Sequence, residues 1–111
     1  MSLKITDELK DNGLVLNITG RIDATTAPEL DSYITEKLKN DSIKKLALDF
    51  GNVEYVSSAG LRVLLTAVKT LRSRSGELIL CSVADTIQNV LKISGFLSFL
   101  TIKANSAEAL S

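Results

Sequence analysis

The chain has no histidine, no tryptophan and a single cysteine among its 111 residues. Without histidine there is no His-containing metal site and no imidazole to act as a general base. The lone Cys81 cannot form an intramolecular disulfide, and its place in the apolar run 78–81 predicts a small buried side chain rather than a reactive thiol. We therefore expect a protein without a metal or a bound cofactor, and not an enzyme.

The chain also lacks an excess of either charge, since 13 Lys and Arg residues balance 13 Asp and Glu residues. A neutral chain has neither the basic surface typical of nucleic-acid binding nor the basic excess that holds proteins to anionic membranes. Residues 1–4 show no apolar run of the secretion-signal type, and the apolar segment 61–68 contains Arg62 and is too short to span a bilayer. We expect a cytoplasmic protein, with neither nucleic acid nor a membrane as partner.

The order of strand-like and helix-like segments predicts one α/β domain over residues 1–111. Strand patterns occupy residues 3–10, 14–22, 44–50, 77–82 and 99–103, and helical patterns follow residues 26, 57, 82 and 106. Alternating strands and helices imply right-handed crossovers. The predicted fold is a mixed, mostly parallel sheet of four to five strands with an N-terminal antiparallel hairpin and three to four helices.

Turn and capping residues predict where these elements begin and end. An Asn-Gly turn at residues 11–13 predicts the hairpin, with Leu9 on the same strand face as Leu3. Thr26-x-x-Glu29 and Ser82-x-x-Asp85 have the spacing of capping boxes. A turn at residues 51–52 is predicted between the third strand and the second helix.

Two adjacent serines open the second predicted helix. Ser57 is the predicted N-cap, and Ser58 in the first helical position is expected to project outward. Unpaired N–H groups and the helix dipole favour a negative group there, so Ser58 is a candidate phosphorylation site. Gly60 is expected to leave the approach to Ser58 unobstructed. The same residues also match an ordinary capped helix start, and that interpretation stands beside the functional one.

The carboxyl ends of parallel strands meet at one sheet edge, where α/β proteins usually place their sites. The loop 20–25 and the segment 51–58 should therefore meet, which brings Asp23 and Thr25 near the two serines. The predicted partner-binding residues are Asp23, Thr25, Ser57, Ser58 and Gly60. Asp is also common in turns that bind nothing, so Asp23 alone is a weak indication.

The segments Gly20-Arg21-Ile22-Asp23 and Val53-Glu54-Tyr55-Val56-Ser57-Ser58-Ala59-Gly60-Leu61 resemble the anti-sigma factor antagonists of the STAS domain family, over residues 14–100. The resemblance implies that an anti-sigma factor serine kinase phosphorylates Ser58. The unphosphorylated antagonist would bind this kinase and so free a sigma factor. A PP2C-type phosphatase would remove the phosphate and restore the unphosphorylated antagonist. Asp23 would lie in the docking edge. For the oligomeric state, we expect a monomer or weak dimer.

One residue departs from the family pattern, which usually has Asp immediately before the phosphoacceptor. Here Ser57 stands in that position, so Ser57 is an alternative acceptor. A second hypothesis is a constitutive STAS scaffold in a sensory or transport-associated complex, without phosphorylation. A third, a hydrolase with Ser58 as nucleophile, has no histidine base, and Lys44 and Lys45 lie at the opposite end of their strand.

Overall fold

The computed structural model describes residues 3–110, in which strands and helices alternate after an initial hairpin. The strands are β1 (Lys4–Lys10), β2 (Gly13–Ile22), β3 (Lys45–Val56), β4 (Glu77–Cys81) and β5 (Thr101–Lys103). The α-helices are α1 (Ala27–Lys37), α2 (Ser58–Arg72), α3 (Asp85–Ile93) and α4 (Ser106–Ala109), and a 3₁₀ helix spans Phe96–Ser98. None of the helices within residues 3–110 combines the length and the hydrophobicity that crossing a bilayer requires.

The five strands form one sheet in the order β1-β2-β3-β4-β5. β1 pairs antiparallel with β2, and every later neighbour is parallel. Because each crossover leads to the adjacent strand in the same direction, right-handed connections place their helices on the same face. This confirms the predicted mixed α/β fold, with all its parallel strand ends at one edge.

The two faces of the sheet are covered very differently. On one face, α1, α2 and α3 enclose the main core, which includes Leu16, Phe50 and Leu64. On the other, α4 covers a small cluster: Val15, Ala47, Ile79, Cys81, Ala109 and Leu110. The burial of Cys81 confirms its predicted role as a small core residue, and that burial, with Asp49 nearby, raises the pKa of the thiol to about 11.

β3 is longer than predicted, and the expected turn at residues 51–52 is wrong. The strand runs to Val56 because β2 continues to pair with it as far as Ile22. Two irregularities, after Asn17 and after Gly20, place two extra residues in β3. They change the register between the strands just before the sheet ends.

Three smaller predictions also need correction. Leu9 is 72% exposed rather than on the core face. Thr26 does flank α1, but its side chain makes no capping bond. Ser82 does not cap α3, because its backbone is left-handed (φ 57°) and its hydroxyl donates to the Ala104 carbonyl at 3.4 Å. α3 instead begins at Asp85 without a side-chain cap.

Candidate functional site

The loops that leave β2 and β3 meet at the carboxyl edge of the sheet. The Ser57 backbone N–H donates to the Ile22 carbonyl at 2.8 Å, which extends the β2–β3 ladder to the first residue after the strand. Ile22 ends β2 and is followed at once by Asp23. The structure therefore brings the two predicted loops together, as the parallel arrangement requires.

α2 begins at the residue that the sequence indicated. Ser57 has an extended backbone (φ −89°, ψ 175°), and its Oγ accepts a hydrogen bond from the Gly60 N–H at 3.3 Å. Ser58 is the first helical residue and its side chain is exposed. Within residues 3–110 the Ser58 hydroxyl has no hydrogen-bond partner, so the two serines differ: one hydroxyl is used by the helix and the other faces solvent.

Gly60 lies on the buried side of α2, away from solvent. A Cβ atom there would come within 2.7 Å of Ile22 Cγ2 and 3.0 Å of Val56 Cγ1. The missing side chain therefore allows the first turn of α2 to lie against the ends of β2 and β3. Gly60 was predicted as a residue that a partner approaches, but its position makes it a packing residue that sets where Ser58 stands.

The start of α1 is organised by the Asp23 carboxylate. Its Oδ1 accepts hydrogen bonds from the N–H groups of Thr25 and Thr26, each at 3.0 Å. The bonds from Thr26 and Thr25 hold the pKa of Asp23 below its ordinary value. Thr26 is buried, and its hydroxyl donates to the Arg21 carbonyl at 2.6 Å and accepts from the Asp23 N–H at 2.9 Å. Asp23 thus shapes this loop, on which Thr25 is exposed.

An open cleft of about 310 Å³ separates the first turns of α1 and α2. Its walls near the sheet edge are small side chains, Ala24 and Ala59, and its charged lining residues are Asp31 from α1 and Arg62 from α2. The cleft places the loop after Asp23 and the first turn of α2 on one continuous surface.

Sequence reasoning missed two cationic features near the serines. Arg21 stacks on Tyr55, with its guanidinium carbon 4.5 Å from the ring centre, and Tyr55 is 41% exposed. The shift in strand register after Gly20 pairs these residues, and no sequence pattern predicts that shift. Arg62 lies one helical turn beyond Ser58. In the sequence it stands within an apolar segment, and no motif marks it as a candidate site residue.

Among the residues that the structure describes, no side chain that could act as a general base is hydrogen-bonded to the Ser58 hydroxyl. Lys45 is the first residue of β3, at the strand end opposite Ser58. Within residues 3–110 there is no cluster of three or more His, Cys, Asp or Glu side chains that could hold a metal. The arrangement that the described residues form around Ser58 is a surface with an accessible hydroxyl.

Known proteins match this chain along almost its whole length. BtrV of Bordetella bronchiseptica, a candidate anti-sigma factor antagonist, is 36% identical over 107 residues, which are 96% of this chain and 90% of BtrV. The anti-sigma F factor antagonist of Paenibacillus polymyxa is 25% identical over 111 residues, covering 100% of this chain and 95% of that protein.

Solved structures share the architecture. An anti-sigma factor antagonist from Mycobacterium paratuberculosis has a TM-score of 0.86 at 24% identity, over 97% of this chain and 91% of that one. The phosphorylated form of the Bacillus cell fate determinant SpoIIAA has a TM-score of 0.73 at 19% identity, over 96% of each chain. At these identities the structures establish a common fold, and the STAS domain itself is matched over residues 3–109. The chain therefore belongs to the STAS domain family.

Proposed function

We propose that this protein is an anti-sigma factor antagonist whose binding is switched by phosphate on Ser58. In its unphosphorylated form it binds an anti-sigma factor serine kinase in the cytoplasm, and the sigma factor is released. Phosphorylation of Ser58 ends this binding, and a PP2C-type phosphatase restores it. The observation that carries the proposal is the exposed, unbonded Ser58 hydroxyl on the first residue of α2.

Ser58 fits the acceptor role better than Ser57. The Ser57 Oγ already accepts from the Gly60 N–H, and its side chain is only half-exposed. A phosphate on Ser57 would disrupt this cap. Modification of Ser58 disrupts no bond found within residues 3–110, so the fold tolerates both states.

Transfer of phosphate would change the charge of the docking surface abruptly. The Ser58 Oγ attacks the γ-phosphorus of ATP, the bond to ADP breaks, and the hydroxyl proton passes to a base on the kinase. The product carries a charge of about −1.5 to −2 at neutral pH. The N-terminus of α2 tolerates this charge, whereas a partner packed over it must desolvate it or supply cations.

The surrounding residues support a docking surface centred on Ser58. The Asp23 loop and the first turn of α2 share one cleft, whose upper walls are the small residues Ala24 and Ala59. Thr25 is exposed beside them. Because hydrogen bonds inside the loop hold the Asp23 carboxylate, its contribution to docking includes keeping Thr25 in place.

Calorimetric titration with the anti-sigma factor kinase from the same cells tests the proposal. We expect the parent and Ser58→Ala to bind alike, and Ser58→Glu and the Ser58-phosphorylated chain to bind about 100-fold more weakly, since an unmatched charge in an interface costs several kcal/mol. The matched control, Ser73→Glu, adds the same charge about 22 Å away along α2 and should bind like the parent. Equal binding by all five proteins would refute the switch.

The substitution of Ser57 for the family's usual Asp favours a second candidate, a scaffold that binds its partner constitutively. On this alternative the Ser58→Glu chain keeps its full affinity, and protein purified from its native cells carries no phosphate. Mass spectrometry of the native protein separates the two functions directly.

A further inference from the structure

Arg62 is an exposed cation one helical turn beyond Ser58. Within residues 3–110 its guanidinium takes part in no ion pair and no hydrogen bond; outside the helix ladder, Arg62 is bonded through its backbone carbonyl, which accepts from the Thr66 hydroxyl at 3.1 Å. The side chain is therefore available to a new anionic partner.

The helix directs this side chain toward Ser58. Residues i and i+4 lie on the same helix face, with their Cβ atoms about 5–6 Å apart. Helical side chains also lean toward the N-terminus, so an arginine at position 62 can reach over the turn that contains Ser58. A phosphate on Ser58 would thus form within reach of the guanidinium.

The charges around the cleft make this pairing favourable. Asp31 lines the cleft opposite Arg62, but the two side chains form no ion pair within 4 Å. Asp23 adds a second carboxylate at the same edge. A phosphate on Ser58 would add negative charge beside this cleft, and among residues 3–110 Arg62 is the positively charged residue that lines it.

We propose that Arg62 binds the phosphate of phosphorylated Ser58 within the same chain. This inference rests on the proposed phosphorylation of Ser58 and adds which side chain binds the phosphate once it is there. A guanidinium offers paired N–H donors that match two phosphate oxygens, which a lysine cannot reproduce. The phosphate is then fixed over the first turn of α2, where a docking partner would have to displace it.

The test uses phosphoserine installed at position 58 during translation, so it does not depend on any kinase. A ³¹P NMR titration gives the second pKa of the phosphate. We expect Arg62→Gln to raise this pKa by about 0.15–0.4 units, the shift that corresponds to the loss of one i,i+4 ion pair. Arg62→Lys should raise it less, because the charge remains and the paired donors are lost.

Lys69→Gln is the matched control, since it removes one exposed positive charge from the same helix about 16 Å from residue 58. It should leave the phosphate pKa nearly unchanged. As a second readout, the Arg62 Nε–Hε resonance should shift when residue 58 carries phosphate. Equal phosphate pKa values for the parent and Arg62→Gln, or equal shifts for Arg62→Gln and Lys69→Gln, would overturn the inference. Either result leaves the calorimetric test of the proposed function standing.

Discussion

The starts of α1 and α2 lie at the same sheet edge but use their polar side chains in different ways. At α1, Asp23 and the buried Thr26 direct their oxygens into the loop itself. At α2, Ser57 caps the helix, while the neighbouring Ser58 hydroxyl is bonded to nothing within residues 3–110. At α1 the side-chain oxygens bond within the loop, whereas at α2 the Ser58 hydroxyl is exposed.

This difference explains why a modification would act at α2 and not at α1. A residue whose side chain holds the fold cannot be modified without unfolding part of it. The Ser58 side chain makes no hydrogen bond within residues 3–110, so the fold is compatible with either a hydroxyl or a phosphate at this position. On the proposed function, a partner that docks over Ser58 would also contact the loop at α1, which the bonds to the Asp23 carboxylate organise.

The comparison predicts its largest stability effect at Thr26. Thr26→Val keeps the shape of the side chain but leaves the Arg21 carbonyl and the Asp23 N–H without their partner. We expect a loss of about 1–3 kcal/mol in the free energy of unfolding, measured by urea denaturation. A loss under 0.5 kcal/mol would mean that the α1 start does not depend on this hydroxyl.

Alanine substitutions of Ser57 and Ser58 should change the free energy of unfolding, measured in the same way, by different amounts. Ser57→Ala removes the hydrogen bond to the Gly60 N–H, so we expect a loss of about 1 kcal/mol in the free energy of unfolding. Ser58→Ala should stay within about 0.5 kcal/mol of the parent. Equal losses for both variants would contradict the division of roles between them.

Acid should weaken the α1 start through Asp23. The folded pKa of this carboxyl lies below its ordinary value of 3.8, because Thr26 and Thr25 bond to the ionised form. Its contribution is complete above the unfolded pKa and is lost as the pH falls through the folded pKa. Urea midpoints measured from pH 5 to pH 2 should therefore fall less steeply for Asp23→Asn than for the parent. Ser58→Ala serves as the control, and its midpoints should keep the steepness of the parent's.

The order of elements and the start of α2 could be predicted because their causes are local. Alternation of strands and helices fixes the parallel sheet, and Ser57 marks the first turn of α2 by its capping oxygen. In β2, Leu14, Leu16 and Ile18 alternate on the face of the main core, and Val15 between them is also apolar because it packs in the cluster that α4 covers.

The remaining features depend on residues that are distant in the sequence. The sequence around Ser82 resembles a helix cap, but the Ser82 hydroxyl donates to the carbonyl of Ala104, which is distant in the sequence. The role of Gly60 becomes visible only when Ile22 packs against α2. The stack of Arg21 on Tyr55 depends on an extra residue in β3 that local patterns do not reveal.

Mapping the phosphate after incubation with the anti-sigma factor kinase and ATP tests the central claim most directly. We expect fragmentation mass spectrometry to place a single phosphate on Ser58, and the Ser58→Ala chain to accept none. Phosphate on Ser57 in the parent chain, or undiminished phosphorylation of Ser58→Ala, would contradict the account.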